Sequence, residues 1–227
     1  MIWLRNAAFY IAFYGASVFF VAAAVAVARM APDRLKGVVS GWCRFHRWCV
    51  RRLLGIEIVV EGTPTAKPIL YALKHESFFE AIDCVVLFGY PVPFAKRELF
   101  DIPGWGLAAR SYGAVAVDRA AGARMLRSMM RDAAARVGDG RPLVILPEGT
   151  RVPHGERRPL ASGFAGLYKM LGVPVVPVAV DSGRLYRAGL KRPGRITYRF
   201  GEEIPAGLPR EEMEARVTDA INALNTA

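Results

Sequence analysis

A layered α/β fold is predicted from three features of the sequence: a central, largely parallel or mixed sheet flanked by helices, preceded by an N-terminal apolar helix or helical hairpin. After Leu53, short apolar runs alternate with helix-period segments, the pattern of strand–helix–strand units around one sheet. Before that point lies a run of 23 uncharged residues, Asn6–Ala28, bracketed by Arg5 and Arg29. Finally, 53% of the 227 residues are hydrophobic, which excludes a disordered chain, and three cysteines are too few for a disulfide scaffold. Their usage fits a reducing compartment.

The apolar run comes first. As a helix it reaches roughly 34 Å, enough for a hydrocarbon core of about 30 Å. A membrane-embedded anchor, a cleaved signal peptide and a buried core helix are the three readings of such a run, and its length favours the anchor. Gly15, near its middle, leaves open a hairpin that enters one leaflet and returns. Between Arg29 and Arg52, seven basic residues face one acid, Asp33, so much of the net charge of +11 lies in this flank. By the positive-inside rule the rest of the chain stays on the cytoplasmic face of a membrane, the inner membrane if the source is a bacterium. Val38, Trp42, Phe45, Cys49 and Leu53 recur every three or four residues beside Arg44, Arg47 and Arg51. This predicts either an amphipathic helix lying on anionic lipid or a helix packed on its own domain. Cys43, His46 and Cys49 have a metal-like spacing, but on a helix they point apart and no fourth ligand is evident, so no metal is expected. Residues 1–52 are therefore assigned to a membrane-embedded and basic interfacial segment, and 53–227 to one catalytic domain.

In that domain the expected strands are Ile56–Val60, Ile69–Leu73, Val92–Ala95, Ala114–Val117, Leu143–Leu146, Val175–Val180 and Ile196–Phe200. The expected helices are Phe78–Leu87, Trp105–Arg110, Ala121–Val137, Gly163–Leu171 and Pro209–Leu224. In such sheets chemistry gathers on loops at strand ends, so polar residues that follow apolar runs carry the functional signal.

Two such places stand out. After Ile69–Leu73 comes Lys74-His75-Glu76-Ser77-Phe78-Phe79-Glu80, where Ser77 and Glu80 form a capping-box pattern. A helix that begins after Ser77 lets the preceding loop fold His75 back onto Glu80. A carboxylate that holds an imidazole in one tautomer and stabilises its protonated form is what a general base requires. The second place is Leu143–Leu146 running into Pro147-Glu148-Gly149-Thr150-Arg151. Its glycine, hydroxyl and arginine suit a phosphate, although a surface turn with a salt bridge has the same composition.

Together these segments resemble the 1-acylglycerol-3-phosphate acyltransferases of the glycerolipid acyltransferase superfamily. The first block of that family, a histidine with an acid five residues later, is similar to His75–Glu80. The second is similar to Gly113-Ala114-Val115-Ala116-Val117-Asp118-Arg119, the third to Leu146–Arg151, and the fourth to Val173–Val178. The blocks fall in the family's order over roughly residues 69–204. The family usually has aspartate where this chain has Glu80, and Asp83, one turn further on, is an alternative partner for His75.

The resemblance implies the acyltransferase fold and transfer of a fatty acyl group from an acyl thioester to the free hydroxyl of 1-acylglycerol-3-phosphate, giving phosphatidic acid. Another lyso-lipid, such as a lyso-ornithine lipid, is the alternative acceptor, and a silent lipid-binding relative the non-enzymatic one. It implies His75 as base, Glu80 as its support, and Lys96, Gly113, Arg119, Glu148, Gly149, Thr150 and Arg151 around the acceptor. The expected partners are a lysophospholipid acceptor, acyl-coenzyme A or acyl carrier protein as donor, and membrane lipids. No cofactor is implied. Nucleic acid is not expected, since only the charge points to it and that charge adjoins an apolar segment.

Overall fold

The computed structural model describes residues 1–64, 69–117 and 122–225. It forms a seven-stranded sheet with helices on both faces. The strands are β1 (Ile56–Glu61), β2 (Leu70–Leu73), β3 (Val92–Lys96), β4 (Val115–Val117), β5 (Leu143–Ile145), β6 (Val175–Val180) and β7 (Gly194–Phe200). Their order is β1-β7-β6-β2-β5-β3-β4. From β6 to β4 all neighbours run parallel, β7 is antiparallel to β6, and β1 is parallel to β7. All seven strands fall where the apolar runs place them.

The helices are α1 (Ile2–Met30), α2 (Leu35–Cys49), α3 (Phe78–Leu87), α4 (Trp105–Tyr112), α5 (Gly122–Gly138), α6 (Ser162–Leu171) and α7 (Arg210–Ile221). Side chains alternate across the sheet and build two cores. Tyr71 and Leu73 of β2 face a core shared with α1–α4, while Leu70 and Ala72 face one shared with α5–α7. A parallel strand covered on both faces needs apolar residues throughout, and every residue of β2 is buried.

Gly15 does not break α1. The chain turns back only at Ala31–Arg34, where a single 3-10 turn starts at Pro32, so the hairpin is made by α1 and α2 rather than inside Asn6–Ala28. Phe9 meets His46, Phe13 stacks on Trp42 at 5.7 Å, Trp42 Nε1 donates to Ser17 Oγ at 2.9 Å, and Phe20 lies against Gly41, the descending order of an antiparallel pair. The hairpin is bound to the sheet domain along its length. Near one end of α1, Asn6 Nδ2 donates to the Lys191 carbonyl at 2.8 Å and its Oδ1 accepts from the Lys191 N–H, while Phe9 is buried. Near the other end, Val21 and Val25 lie against Gly104 at the start of α4. The outward stripe of Leu4, Ile11, Tyr14, Val18 and Phe19 stays exposed. A boundary between residues 52 and 53 falls inside the π-helical stretch Val50–Leu54, and Phe9, Cys43 and Cys49 share one core with Ile56, Phe79 and Tyr198.

Cys43, His46 and Cys49 are part of that core. His46 Nε2 lies 2.9 Å from the Tyr186 hydroxyl among Phe9, Phe13 and Phe79, and burial lowers its pKa to about 3, so the ring is a neutral packing group. Arg47, one residue on, makes an ion pair between hairpin and sheet domain. Its guanidinium grips both oxygens of Asp83 on α3, at 2.7 and 2.6 Å. Asp83 is fully buried, so replacing Arg47 by methionine strands a carboxylate in the core. Unfolding by urea in detergent should show a loss of about 3 kcal/mol, and an unchanged midpoint would mean that the pair holds nothing.

Candidate active site

Because β6, β2 and β5 are adjacent and parallel, their carboxyl ends emerge side by side at one edge of the sheet. The chain leaving β2 carries Lys74–Ser77, that leaving β5 carries Pro147–Arg151, and that leaving β6 carries Asp181–Gly183. Three segments far apart in sequence are thus brought together by strand order alone.

Ser77 starts α3 as expected. Its hydroxyl accepts from the Phe79 N–H at 3.0 Å, and Glu80 Oε1 accepts the Ser77 N–H at 2.6 Å and the Glu76 N–H at 2.7 Å. The same oxygen lies 2.9 Å from His75 Nδ1. An ionised carboxylate only accepts, so Nδ1 carries the proton and Nε2 is left as the basic nitrogen. The other oxygen, Oε2, accepts from the Ser182 hydroxyl at 2.6 Å and the Ser77 hydroxyl at 3.0 Å. Burial alone would raise the Glu80 carboxyl; the hydrogen bond and charge of His75, with Ser182 and the Ser77 N–H, overcome it and hold it below the usual carboxylate range. Asp83 is not the partner of His75, because both its oxygens are taken by Arg47. The extra methylene of glutamate is absorbed in the first turn of α3, where Glu80 reaches back over the helix start.

The third block lies directly against His75. The Val152 N–H donates to the His75 carbonyl at 2.7 Å, and Gly149 turns the chain with φ of 68°. Arg151 is exposed, and its guanidinium sits 4.3 Å from the ring centroid of Phe78, itself exposed at the head of α3. Thr150 is exposed beside it. Glu148 points the other way. It is buried, with one oxygen 2.7 Å from Lys74 Nζ and the other accepting the His75 N–H at 3.2 Å. A carboxylate so engaged has nothing to offer an anion, and it acts as a prop beneath the His75 loop.

Lys96 ends β3 at the same edge. In register it is level with Lys74 but two strands away, about 10 Å laterally, and it pairs with exposed Glu98 at 2.9 Å. Gly113 ends α4 with φ of 92°, and a Cβ there would lie 2.6 Å from the guanidinium of Arg141. That places it in a helix stop packed on an arginine. Arg119 lies outside the described residues.

Several residues of the site escaped the sequence reading. Lys74 is wholly buried and also reaches Asn222 Oδ1 at 2.8 Å and the Glu156 carbonyl at 3.2 Å. Glu76 lies 3.0 Å from His154 Nδ1 and accepts the Gly183 N–H at 2.8 Å. The strand-end rule applied to β6 would have found Ser182 and Gly183, but nothing in the spacing singles out His154.

The sequence model of the Acyltransferase family matches residues 54–181, more than half of the chain. A curated relative from Pseudomonas aeruginosa, a 1-acyl-sn-glycerol-3-phosphate acyltransferase, is 32% identical over 180 residues, 76% of this chain and 69% of the relative. The alpha enzyme of that name from Ovis aries is 28% identical over 73% of this chain, which spans 61% of the sheep protein. Among solved structures, the 1-acyl-sn-glycerophosphate acyltransferase PlsC from Thermotoga maritima superposes with a TM-score of 0.76 at 23% identity, covering 99% of this chain and 96% of that one, a likeness of fold. The chain is a membrane-associated α/β enzyme with a histidine–carboxylate pair at the carboxyl edge of its sheet, and it belongs to the acyltransferase family.

Glu76 differs from Glu80 in its electrostatics. Burial pushes its carboxyl up to about 8, only partly offset by the Gly183 N–H, and the neighbouring Glu80 charge adds to the rise. A group with a raised folded pKa keeps its proton in the native state while the unfolded chain releases it. Its contribution to stability is present below the ordinary carboxylate pKa and is lost as pH climbs from about 4.5 to about 8. Glu76→Gln should therefore lose less in Tm than the wild type between about pH 5 and pH 8, read by calorimetry. Parallel pH profiles would show that Glu76 is already ionised across that range.

Proposed function

We propose that this chain transfers a fatty acyl group from an acyl thioester to the free hydroxyl of 1-acylglycerol-3-phosphate, forming phosphatidic acid. The observation that carries this reading is the His75–Glu80 pair with Arg151 held at its side by a loop that bonds the His75 backbone. The named activity of the relatives from Pseudomonas aeruginosa and Ovis aries supports it.

The chemistry needs no enzyme nucleophile, because a thioester is already activated. Nε2 of His75 takes the proton of the acceptor hydroxyl as its oxygen bonds to the thioester carbonyl carbon. When the tetrahedral intermediate collapses, the carbon–sulfur bond breaks and the imidazolium returns the proton to the departing thiolate. Glu80, ionised by its five donors, fixes the tautomer and is ready to stabilise the imidazolium. Arg151 has an exposed guanidinium fork free of any carboxylate among the described residues, which suits the acceptor phosphate. Thr150, Gly149, Lys96, Gly113 and Arg119 complete the proposed acceptor region, and Glu148 shapes it from below.

The hairpin sets where this happens. Asn6 to Val25 spans roughly 28 Å of helix, and both ends rest on the same domain, so α1 lies along the domain instead of leaving it to cross a bilayer. Its outward stripe enters one leaflet. Arg44, Arg51 and Arg52, with half-exposed Trp48, lie together on the return helix at headgroup level, on the cytoplasmic face by the charge rule. Lipid acceptor and lipid product then need not leave the bilayer fully. The donor, acyl-coenzyme A or acyl carrier protein, arrives from water.

With radiolabelled donors of both kinds and 1-acylglycerol-3-phosphate, wild-type membranes should form phosphatidic acid and His75→Ala membranes none. Retention of more than a few per cent of the rate would remove His75 from the base role. Arg151→Ala should raise KM for the phosphorylated acceptor about ten- to a hundredfold, the range for one charge-assisted contact, and leave the donor KM nearly unchanged. Equal effects on both would make Arg151 structural.

A further inference from the structure

Beside the catalytic pair stands a second histidine–carboxylate pair that the acyl transfer just described does not use. Glu76 follows His75 in the chain, its side chain is fully buried, and its two oxygens serve two different loops. Oε1 lies 3.0 Å from Nδ1 of His154, in the loop that follows Arg151, and Oε2 accepts the N–H of Gly183, in the turn after β6. The contact with Gly183 is close enough that a Cβ there would lie 3.0 Å from the Glu76 side chain.

The arrangement repeats on the next carboxylate. Glu80 holds Ser182 as Glu76 holds Gly183, so the turn after β6 is gripped by two acids from the first block. The loop after Arg151 has no regular secondary structure from residue 150 to 161; its later part is tied to Asn225 and Asp219, and its contacts to residues 74–76 hold it against the His75 loop. Lys74 takes the Glu156 carbonyl, the His75 carbonyl takes the Val152 N–H, and Glu76 takes His154. Among these, Glu76 also anchors the third loop.

We propose that Glu76 and His154 are positioning residues: they clamp the loop bearing Thr150 and Arg151 against the His75 loop and so set the affinity for the acceptor headgroup. The idea rests on the acceptor site proposed above. Glu76 takes no part in proton transfer to substrate. Glutamine can replace it in this role, since the amide oxygen accepts the Gly183 N–H and the amide N–H donates to Nδ1 of a neutral His154 ring. Burial and the nearby Arg184 favour that neutral ring.

Two readouts test the clamp. Amide hydrogen exchange on the full-length protein in detergent needs no substrate: exchange across residues 149–157 should quicken in both Glu76→Ala and His154→Ala and stay near wild type in Glu76→Gln. His154 is partly exposed, so its variant retains the fold if Glu76→Ala does not. In steady-state assays both alanine variants should raise the acceptor KM at least about tenfold, with the donor KM held within about twofold, and Glu76→Gln should restore it. The double alanine variant should be no worse than the worse single one. Unchanged exchange in both alanine variants, a Glu76→Gln as impaired as Glu76→Ala, or multiplied losses in the double variant would each overturn the clamp. A wild type silent on 1-acylglycerol-3-phosphate would instead overturn the acceptor assignment, and the exchange data would still decide the clamp.

Discussion

The Glu80 carboxylate is the point on which the rest of the site depends. It is wholly buried, and an ionised group in that position is tolerable only because donors surround it: two backbone N–H groups, two hydroxyls and an imidazole. Each donor belongs to something the enzyme must position. The N–H groups fix the entry into α3, the Ser182 hydroxyl fixes the turn after β6, and the imidazole is the ring proposed as the base. One charge therefore orders a helix start, a neighbouring loop and the catalytic ring together, and none can shift without exposing an unpaired acceptor.

That network is possible because of strand order. β2 lies between β5 and β6, and all three are parallel, so their outgoing loops meet although those after β5 and β6 lie about 70 and 100 residues beyond the one after β2. Buried polar groups concentrate at this edge: Lys74, Glu76, Ser77, Glu80, Glu148 and Ser182. Each has a partner from another loop or from its own helix start, as buried polar groups require. The sheet supplies rigidity, and the polar lattice above it supplies the one arrangement of loops in which His75 is poised beside Arg151.

Much of this was legible in the sequence. The strands and helices were readable because glycine, proline and polar clusters punctuate every apolar run, and α3 was readable to its ends because Ser77 and Glu80 specify its start. The histidine–carboxylate pair followed from the same capping box. What the sequence does not show is which of two carboxylates wins when both lie within reach. Asp83 is drawn away by Arg47, a residue 36 positions earlier, and no local pattern announces that pairing. The pairing of Glu148 is hidden for a similar reason. A residue in a phosphate-like turn looks available until Lys74, buried and needing a counter-charge, claims it. His154 had no signal at all, because its partner lies 78 residues away across a loop without periodicity.

The Arg47–Asp83 pair also changes how the N-terminal hairpin is understood. A detachable anchor would meet the catalytic domain through a few exposed contacts, and its loss would leave the active site intact. Here α2 neutralises a buried acid on α3, and α3 is the helix whose first turn carries Glu80, three residues before Asp83. Phe9, Phe13 and His46 complete the packing around Phe79, the residue next to Glu80. The same two helices that carry the exposed apolar stripe and the arginine cluster thus form one wall of the core beneath Glu80. The hairpin and the His75–Glu80 pair are built on the same contacts, so neither can shift without the other.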